Sequence, residues 1–322
     1  MPSRVFITGA SGFIGRALAA RLRGRGDEVR GVDLAADEAT GVTAGDVRTP
    51  GEWQEATAGC DVVLHTAALV SNAVGLEESW RLNVLGTRLA LEGAARAGAG
   101  RFVHFSSVRA FSDVDFPDGV GEKHPVRTNG NPYVDTKVAS EQVALQAHAA
   151  GEVPVTVIRP GDVYGPGSRP WTVLPLAEIR ANRFALPAMG RSVFSPVFVE
   201  NLVDGVLLAI DEPRAAGQVY VLSDGVGLTT REFFGHYFRM LGKRGPVCLP
   251  TPVALALGSL NQLAYRFREG TTEVNPDTIR YMTRRGTYSI EKARRDLGYE
   301  PRVSLAEGME RTETWLREEG LI

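Results

Sequence analysis

Tyr133 and Lys137, four residues apart, are the first pair whose types and spacing could do chemistry. In a helix their side chains would share one face, so the ammonium group could approach the phenol. A nearby positive charge favours the phenolate and would lower the tyrosine pKa from about 10 toward the working range. Tyr133 is therefore a candidate general acid/base. The spacing alone is common, and without further support it would indicate only a surface pair.

Two serines upstream strengthen this interpretation. Ser106 and Ser107 end an apolar, strand-like segment that precedes the helix. Ligands of open α/β sheets bind at the carboxyl ends of the strands, where a hydroxyl could hydrogen-bond the reacting oxygen and the Tyr133 oxygen together. We predict Ser107, Tyr133 and Lys137 as a catalytic set, and we interpret Ser106 as a strand-end cap.

Three glycines near the start of the chain indicate a phosphate-binding turn. Gly9, Gly12 and Gly15 lie between an apolar run and an Ala/Leu/Arg-rich segment, which is the order strand, turn, helix. Gly9 would permit the tight turn, Gly12 would let a diphosphate approach the backbone, and Gly15 would let the helix pack closely on the strand. A diphosphate would then lie on the free N–H groups at the helix N-terminus.

An acidic residue favours a dinucleotide over a simple phosphate. Asp33 ends a second strand-like run, where a carboxylate can accept hydrogen bonds from an adenosine ribose diol. The same charge would repel a 2′-phosphate, and residues 34–38 supply no Arg or Lys to bind one. The sequence therefore predicts NAD as the cofactor and makes NADP less favoured. Lys137 is expected to hydrogen-bond a cofactor ribose as well.

The elements that must position these residues alternate in type. We predict strands at 4–8, 28–33, a short one ending near 46, 62–66, 101–106 and 154–159, with helices near 13–25, 50–58, 77–97 and 132–150. This alternation predicts an α/β fold with a doubly wound parallel Rossmann sheet. After residue 160 the chain becomes rich in Gly and Pro, which predicts a smaller C-terminal substrate lobe over 161–322. Segments near 193–222 could return to the sheet, so the two lobes would be interleaved in sequence.

Composition limits the possible partners. The chain has 322 residues and a net charge of −2, which gives no electrostatic reason to expect nucleic acid. Two cysteines and no Cys/His cluster of zinc spacing predict neither a disulfide framework nor a metal site. The first residues lack a charged-then-apolar leader, and we expect a cytoplasmic protein. The apolar stretch 250–264 is too short to span a bilayer, and we interpret it as a core or substrate-facing helix rather than an interfacial membrane contact.

In its ordered motifs the chain resembles the extended short-chain dehydrogenase/reductases, part of the NAD-dependent epimerase/dehydratase superfamily. The matching residues are Gly9, Gly12, Gly15, Asp33, Gly45-Asp46-Val47, His65-Thr66-Ala67-Ala68, Asn83, Gly86, Ser106-Ser107, Tyr133, Lys137 and Arg159-Pro160-Gly161-Asp162-Val163-Tyr164-Gly165-Pro166. The resemblance implies cofactor contacts at Gly9, Ser11, Gly12, Phe13, Ile14, Asp33, Asp46, Val47, Thr66, Ala67, Ala68, Tyr133, Lys137, Pro160 and Val163. It also implies the Ser107, Tyr133 and Lys137 catalytic set, with Asn83 supporting the architecture of the site.

Departures from the family pattern bear on the substrate. Val108-Arg109 stands where nucleotide-sugar dehydratases of the family carry an Asp-Glu pair, and Phe194-Ser195 stands where many epimerases carry a diphosphate-binding arginine, unless Arg191 substitutes. Patterns in 195–204, 247–267 and 288–301 are more similar to the 3β-hydroxysteroid dehydrogenase-like branch, which handles hydrophobic alcohols and ketones.

We therefore expect an NAD-dependent oxidoreductase that interconverts a secondary alcohol and a ketone on a hydrophobic, steroid-like or acyl molecule. Two alternatives stay open: a nucleotide-sugar epimerase with the same catalytic set, and a catalytically silent NAD(P)-sensing protein. The resemblance also implies a homodimer through helices 82–97 and 132–150. No stable membrane insertion is expected.

Overall fold

The computed structural model describes residues 2–113, 116–268 and 270–322. The strands are β1 Arg4–Thr8, β2 Glu28–Asp33, β3 Val42–Ala44, β4 Val62–His65, β5 Arg101–Phe105, β6 Val155–Pro160, β7 Asp162–Tyr164, β8 Ala185–Leu186, β9 Val193–Phe194, β10 Pro196–Phe198, β11 Val219–Leu222, β12 Leu228–Thr229 and β13 Val247–Cys248. The α-helices are α1 Phe13–Arg25, α2 Leu76–Trp80, α3 Gly86–Ala97, α4 Pro132–Ala149, α5 Leu174–Arg180, α6 Val199–Asp211, α7 Thr230–Met240, α8 Thr251–Phe267, α9 Pro276–Tyr281, α10 Glu291–Leu297 and α11 Leu305–Glu318.

A seven-stranded parallel sheet forms the centre of the fold, in the order β11-β6-β5-β4-β1-β2-β3. Successive side chains of β1 face opposite sides, as the period of a strand requires. Val5 and Ile7 pack with residues of α1 and α6, whereas Phe6 packs with residues of α3 and α4. Helices therefore cover both faces, which confirms the predicted doubly wound α/β Rossmann sheet.

The chain reverses its direction of travel across the sheet between β3 and β4. Strands β1 to β3 proceed toward one edge, and the next strand returns to pair with β1 on its other side. Ligands of such sheets bind in the crevice at this switch point, beyond the carboxyl ends of the strands. The predicted site residues after β1, β2, β4 and β5 all belong to that edge.

Some predicted elements differ from the structure. The segment 50–58 contains a 3₁₀ helix, Glu52–Thr57, which begins after Gly51. The single helix expected over 77–97 is interrupted by a π-helical segment, Arg81–Leu85. Of the two return segments, Val219–Leu222 joins the central sheet, whereas 193–198 forms two short strands that pair with β12 and β7. The division of the chain at residue 160 stays a prediction.

The interpretation of 250–264 as a core helix is wrong. Helix α8 forms there, but among its residues only Ala254 and Gly258 are buried. The apolar periodicity correctly predicted a helix, yet most of the leucines of this helix lie outside the core. Across the described residues, no helix has both the length and the apolar character that crossing a membrane requires.

Two glycines of α1 give a test of this packing. A Cβ on Gly15 would lie 2.2 Å from the Gly9 carbonyl oxygen, whereas a Cβ on Gly24 would meet nothing within 4 Å. We expect Gly15→Ala to lower the free energy of unfolding by roughly 1–3 kcal/mol because the turn must shift. Gly24→Ala should raise it by about 0.5–1 kcal/mol through helix propensity. Urea unfolding measures both changes, and a neutral Gly15→Ala would contradict the close contact.

Candidate active site

The glycine turn is built for close approach. Gly9 has φ +70°, and a Cβ there would lie 2.8 Å from the backbone of Ala67. Gly12 is exposed and is the N-cap of α1. As a glycine it has no side chain to cap the first N–H groups of the helix. A Cβ on Gly15 would strike the turn at the Gly9 carbonyl, so Gly15 is needed for packing on the turn more than on the strand. The first helical N–H groups thus face a cradle without side chains, which fits a diphosphate.

Asp33 stands at the end of β2 beside this turn. One carboxylate oxygen accepts a hydrogen bond from the Ser11 N–H at 3.0 Å and the other from the Leu34 N–H at 2.8 Å. These bonds fix the carboxylate next to the turn and leave further acceptor capacity on each oxygen. The arrangement fits the expected role of Asp33 toward a ribose diol, which stays a prediction.

The segment after β4 closes the other side of the cradle. The Thr66 hydroxyl donates to the Thr8 carbonyl at 2.7 Å, which holds Ala67 and Ala68 against the glycine turn. The Asn83 amide binds both backbone groups of Leu69, and its Nδ2 also donates to the Thr136 hydroxyl at 3.0 Å. Asn83 therefore fastens the cofactor-side segment to α4, as the resemblance implied.

The remaining predicted cofactor contacts lie around this centre. Phe13 and Ile14 occupy the first turn of α1, Val47 is buried, Pro160 ends β6 and Val163 belongs to β7. Both carboxylate oxygens of Asp46 accept hydrogen bonds from Arg48, whose side chain lowers the pKa of that carboxyl. Their contacts with NAD stay predictions.

The predicted catalytic side chains meet beyond β5. Asn131 caps α4 by accepting from the Tyr133 N–H at 3.0 Å, which places Tyr133 in the first helical turn. The Ser107 hydroxyl accepts a hydrogen bond from the Arg109 N–H at 3.1 Å and lies near the Tyr133 hydroxyl. Lys137 lies on the same helical face, with Nζ 5.9 Å from the centre of the Tyr133 ring. All three side chains are buried, whereas the Ser106 hydroxyl has no hydrogen-bond partner among the described residues.

The expected lowering of the tyrosine pKa by Lys137 is not observed. Burial raises the pKa of Tyr133, opposed by the hydrogen bond from Ser107 and by the nearby charge of Arg109. The Lys137 ammonium instead donates to the Phe105 carbonyl at 2.7 Å. Because it is buried, its own pKa falls to about 8.

Arg109 is a site residue that the sequence interpretation missed. Its buried guanidinium donates to both oxygens of Asp113, at 2.7 and 2.5 Å, and to the Asn72 Oδ1 at 2.9 Å. It lies 5.1 Å from the centre of the Tyr133 ring and 4.4 Å from that of Tyr281. The sequence signal was a charged residue two positions after Ser107, where nucleotide-sugar dehydratases of the family carry an acid.

A second buried ion pair lies behind the first. Asp162 binds the Arg284 guanidinium and the Tyr281 hydroxyl. Arg284 lies 4.1 Å from the centre of the Tyr281 ring, so Arg109 and Arg284 are both within cation–π distance of this ring. Of the basic residues in 280–285, Arg280 is exposed whereas Arg284 is buried.

His65 and His104 are structural. His65 is fully enclosed between the hydroxyls of Thr8 and Thr87, at 2.8 and 3.0 Å. Burial lowers its pKa to about 3, with a smaller contribution from the charge of Lys137. His104 shares a hydrogen bond with the Ser140 hydroxyl at 3.1 Å. Neither ring is placed to exchange protons with a ligand.

The buried ammonium gives a pH prediction. The pKa of Lys137 is lower in the folded chain, about 8, than in the unfolded chain. The unfolded state therefore binds more protons above pH 8, and the stability contributed by this site rises with pH. Between pH 8 and 9.5 the wild type should gain roughly 1.5 kcal/mol relative to Lys137→Met, because the slope rises from half of its full value at pH 8 toward about 1.4 kcal/mol per pH unit. Urea unfolding at several pH values tests this, with the exposed Lys123→Met as control; parallel curves for wild type and Lys137→Met would contradict it.

Known proteins with similar sequences are reductases and dehydrogenases. The chain is 32% identical over 318 residues, covering 95% of both chains, to a 4-hydroxy-2-methyl-3-oxo-4-farnesyl-3,4-dihydroquinoline-1-oxide ketoreductase of Stigmatella aurantiaca. It is 29% identical to a 3-beta-hydroxysteroid dehydrogenase of Mycolicibacterium neoaurum, covering 95% of this chain and 89% of the relative. These names agree with the predicted resemblance.

Solved structures share the whole architecture. The structure described as MoeE5 in complex with UDP-glucose and NAD superimposes with a TM-score of 0.79 at 24% identity, covering 98% of this chain and 99% of the other. Residues 5–223 match the family model described as NAD dependent epimerase/dehydratase family. The chain therefore belongs to the NAD-dependent epimerase/dehydratase family and is an NAD-dependent enzyme of the extended short-chain dehydrogenase/reductase type.

Proposed function

We propose that this enzyme interconverts a secondary alcohol and a ketone on a hydrophobic small molecule. The observation that carries the proposal is the meeting of Ser107, Tyr133 and Lys137 at the carboxyl end of β5, on the edge that also carries the glycine turn. The hydroxyls of Ser107 and Tyr133 lie near each other there, so one substrate oxygen can contact both.

Each of the three residues has a separate task in this chemistry. When bound, NAD supplies the hydride acceptor, or NADH the donor, at the carbinol carbon. Tyr133 exchanges the proton of the substrate oxygen: burial keeps the phenol protonated, which suits it to donate during ketone reduction. In the oxidative direction the phenolate must form, and the nearby charge of Arg109 stabilises it. Ser107 orients the oxygen, and Lys137 holds a ribose.

The charges around the site favour an uncharged substrate. Arg109 is neutralised by Asp113, and Arg284 by Asp162, so each buried guanidinium already has a carboxylate partner. Arg191, the candidate substitute for a diphosphate-binding arginine, is exposed. Behind Tyr281 lie aromatic rings, including Trp171 with its centre 5.9 Å away. The relatives also support this class, because one is named for a farnesyl-bearing quinoline and another for a steroid.

Replacement of the general acid/base gives the direct test. Tyr133→Phe should reduce turnover of hydrophobic secondary alcohols with NAD by about 10²–10⁴-fold, since proton exchange is lost, while NAD binding persists. The exposed Tyr265→Phe is the matched control and should retain full activity. The measurement is absorbance of the reduced cofactor, together with NAD binding by calorimetry.

Other results would identify the alternatives. In one such result, the enzyme turns over a UDP- or dTDP-sugar without net reduction of the cofactor and fails to turn over any of the alcohols. That result would identify it as a nucleotide-sugar epimerase and overturn the proposal. Unchanged biological activity and NAD affinity in Tyr133→Phe would instead favour an NAD-sensing protein.

Cofactor choice depends on the charge of Asp33. Asp33→Asn keeps an oxygen that can accept from backbone N–H groups but removes the repulsion of a 2′-phosphate. We expect the ratio of kcat/KM for NAD over NADP to fall about tenfold or more, because loss of a charged acceptor costs about 1.5–3 kcal/mol. Asp37→Asn, at the exposed neighbouring position, is the control. An unchanged ratio would show that Asp33 does not select the cofactor.

We also propose a homodimer in the cytoplasm. Helices α3 and α4 pack side by side, and Trp80 and Leu85 on the preceding segment are 39% and 47% exposed. Trp80 and Leu85 would be buried if α3 and α4 packed against the same two helices of a second copy in a four-helix arrangement. Light scattering of the purified chain measures the assembly.

A further inference from the structure

Asn72 lies in the segment that follows β4. Its side-chain oxygen Oδ1 accepts two hydrogen bonds, from the Arg109 Nη1 at 2.9 Å and from the Asn131 Nδ2 at 3.0 Å. Arg109 is the cation beside the Tyr133 ring, and Asn131 is the N-cap of the helix that carries Tyr133. One amide oxygen therefore holds both the group that sets the charge around the candidate general acid/base and the group that sets its position.

The orientation of this amide follows from its partners. A guanidinium has donors only, so the atom that faces Arg109 must be the amide oxygen. The amide nitrogen Nδ2 of Asn72 then donates to the Thr278 hydroxyl at 2.9 Å. That hydroxyl donates its own proton to the Glu273 carbonyl at 2.5 Å, so it acts as an acceptor toward the amide. The Thr278 hydroxyl therefore selects the orientation in which the oxygen is presented to Arg109.

The backbone of Asn72 is held as well as its side chain. Its N–H donates to the Glu273 carboxylate at 3.0 Å, and its carbonyl accepts from the Nδ2 of the buried Asn275 at 2.7 Å. The neighbouring Ser71 hydroxyl donates to the same carboxylate at 2.5 Å. The place of the Asn72 oxygen is thus fixed from the segment around α9, which is distant in sequence from the catalytic motifs.

The Arg109 guanidinium depends on this oxygen for its orientation. Asp113 accepts from Nε and Nη2, at 2.7 and 2.5 Å, and so holds one edge of the planar group. Asn72 accepts from the remaining nitrogen, Nη1. With both partners the guanidinium lies 5.1 Å from the centre of the Tyr133 ring and 4.4 Å from that of Tyr281. Without Asn72 a buried donor would lose its partner, and the side chain would be stabilised by turning toward another acceptor.

The charges around Tyr133 come from three elements. The segment after β5 supplies Arg109 and Asp113. Helix α4 supplies Lys137, with Nζ 5.9 Å from the ring centre, and β7 supplies Asp162. Burial disfavours the phenolate most strongly, and the two carboxylates add to this effect, whereas the charge of Arg109 favours the phenolate. The position of Arg109 therefore matters for how readily Tyr133 ionises.

We propose that Asn72 is a positioning residue for the reaction, which holds the Arg109 guanidinium beside Tyr133 and thereby favours the phenolate that alcohol oxidation requires. This inference rests on the proposed role of Tyr133 as general acid/base. An amide side chain does not titrate, so Asn72 acts through the groups that it holds. When Arg109 leaves its position, burial and the nearby carboxylates act on the phenol without opposition from this cation, and the pKa of Tyr133 rises.

The experiment follows the ionisation of Tyr133 without any substrate. Ultraviolet difference titration of the full chain against the same chain carrying Tyr133→Phe reports the phenolate. Asn72→Ala should move this titration to higher pH by roughly half to one unit, a part of the 1–3 units that a cation at such a distance supplies. Thr278→Val removes only the anchor of the amide and should give a smaller shift in the same direction. Gln218→Ala is the matched control, because its amide oxygen also accepts from a cation, Lys292 Nζ at 3.0 Å, but precedes β11 at the other end of the sheet.

Oxidation kinetics give a second readout. Alcohol oxidation uses the phenolate, so kcat/KM rises with pH through the pKa of Tyr133. In Asn72→Ala this rise should move to higher pH by the same amount as the titration. Below the rise kcat/KM should fall about two- to fivefold, because the scarcer phenolate is partly offset by its greater basicity. A merely structural role would lower kcat/KM equally at every pH and leave the rise in place, which would overturn the proposal.

A double-mutant cycle shows whether Arg109 carries the effect. Arg109→Met with Asp113→Leu removes the ion pair as a unit, which folds tolerate better than the loss of one member. In that background Asn72→Ala should produce no further shift of the titration. A full shift there, or no shift when Arg109 is present, would overturn the proposal. If no alcohol is oxidised by the wild type, the proposed function fails, and the difference titration still decides the role of Asn72.

Discussion

The burial of Arg109 is the constraint on which the arrangement of this site depends. A guanidinium removed from water is stable only when its charge and its donors are met. Asp113 supplies the charge and Asn72 a further acceptor, while the Tyr133 and Tyr281 rings cover the two sides. Four segments distant in sequence are therefore held around one cation. Tyr133 obtains its position from the α4 cap and its electrostatic surroundings from this cation.

Asp162 and Arg284 form a second buried ion pair, in which the charge of Arg284 is compensated although its Nε and Nη1 have no hydrogen-bond partner among the described residues. Their pairing joins β7 to the segment after α9, and Arg109 and Arg284 are both within cation–π distance of Tyr281. Removing one member of such a pair leaves a buried charge uncompensated, which costs far more than the pair contributes when intact. The C-terminal part of the chain is thus tied to the Rossmann sheet by charge compensation as well as by apolar packing.

The parts that could be predicted from the sequence are those governed by short-range periodicity. Strands β1 and β2 and helix α1 have the predicted limits, because alternation, glycine turns and caps act over a few residues. Ser107, Tyr133 and Lys137 could be named as candidates from the sequence because their order within motifs is itself informative. Arg109 with Asp113 has helical spacing but no distinguishing pattern, and Arg284 is 122 residues from Asp162, so no local signal marks that pair.

Helix α8 shows a different limit of prediction from the sequence. Its apolar stripe correctly predicted a helix, but periodicity states only that one face is apolar and not what covers it. Two small residues, Ala254 and Gly258, turned out to form the packed face, whereas the large ones lie outside. A core helix is the commoner arrangement, and only the tertiary contacts distinguish the two.

Asn72 connects this outer part of the molecule with the reacting groups. Its Oδ1 accepts from Arg109 and from Asn131 at 2.9 and 3.0 Å, its Nδ2 donates to the Thr278 hydroxyl at 2.9 Å, and its carbonyl accepts from Asn275 at 2.7 Å. Separating the segment after β4 from α9 would therefore break several of these bonds together. One amide side chain that takes no part in the proposed chemistry thus couples the position of α9 to that of the groups around Tyr133.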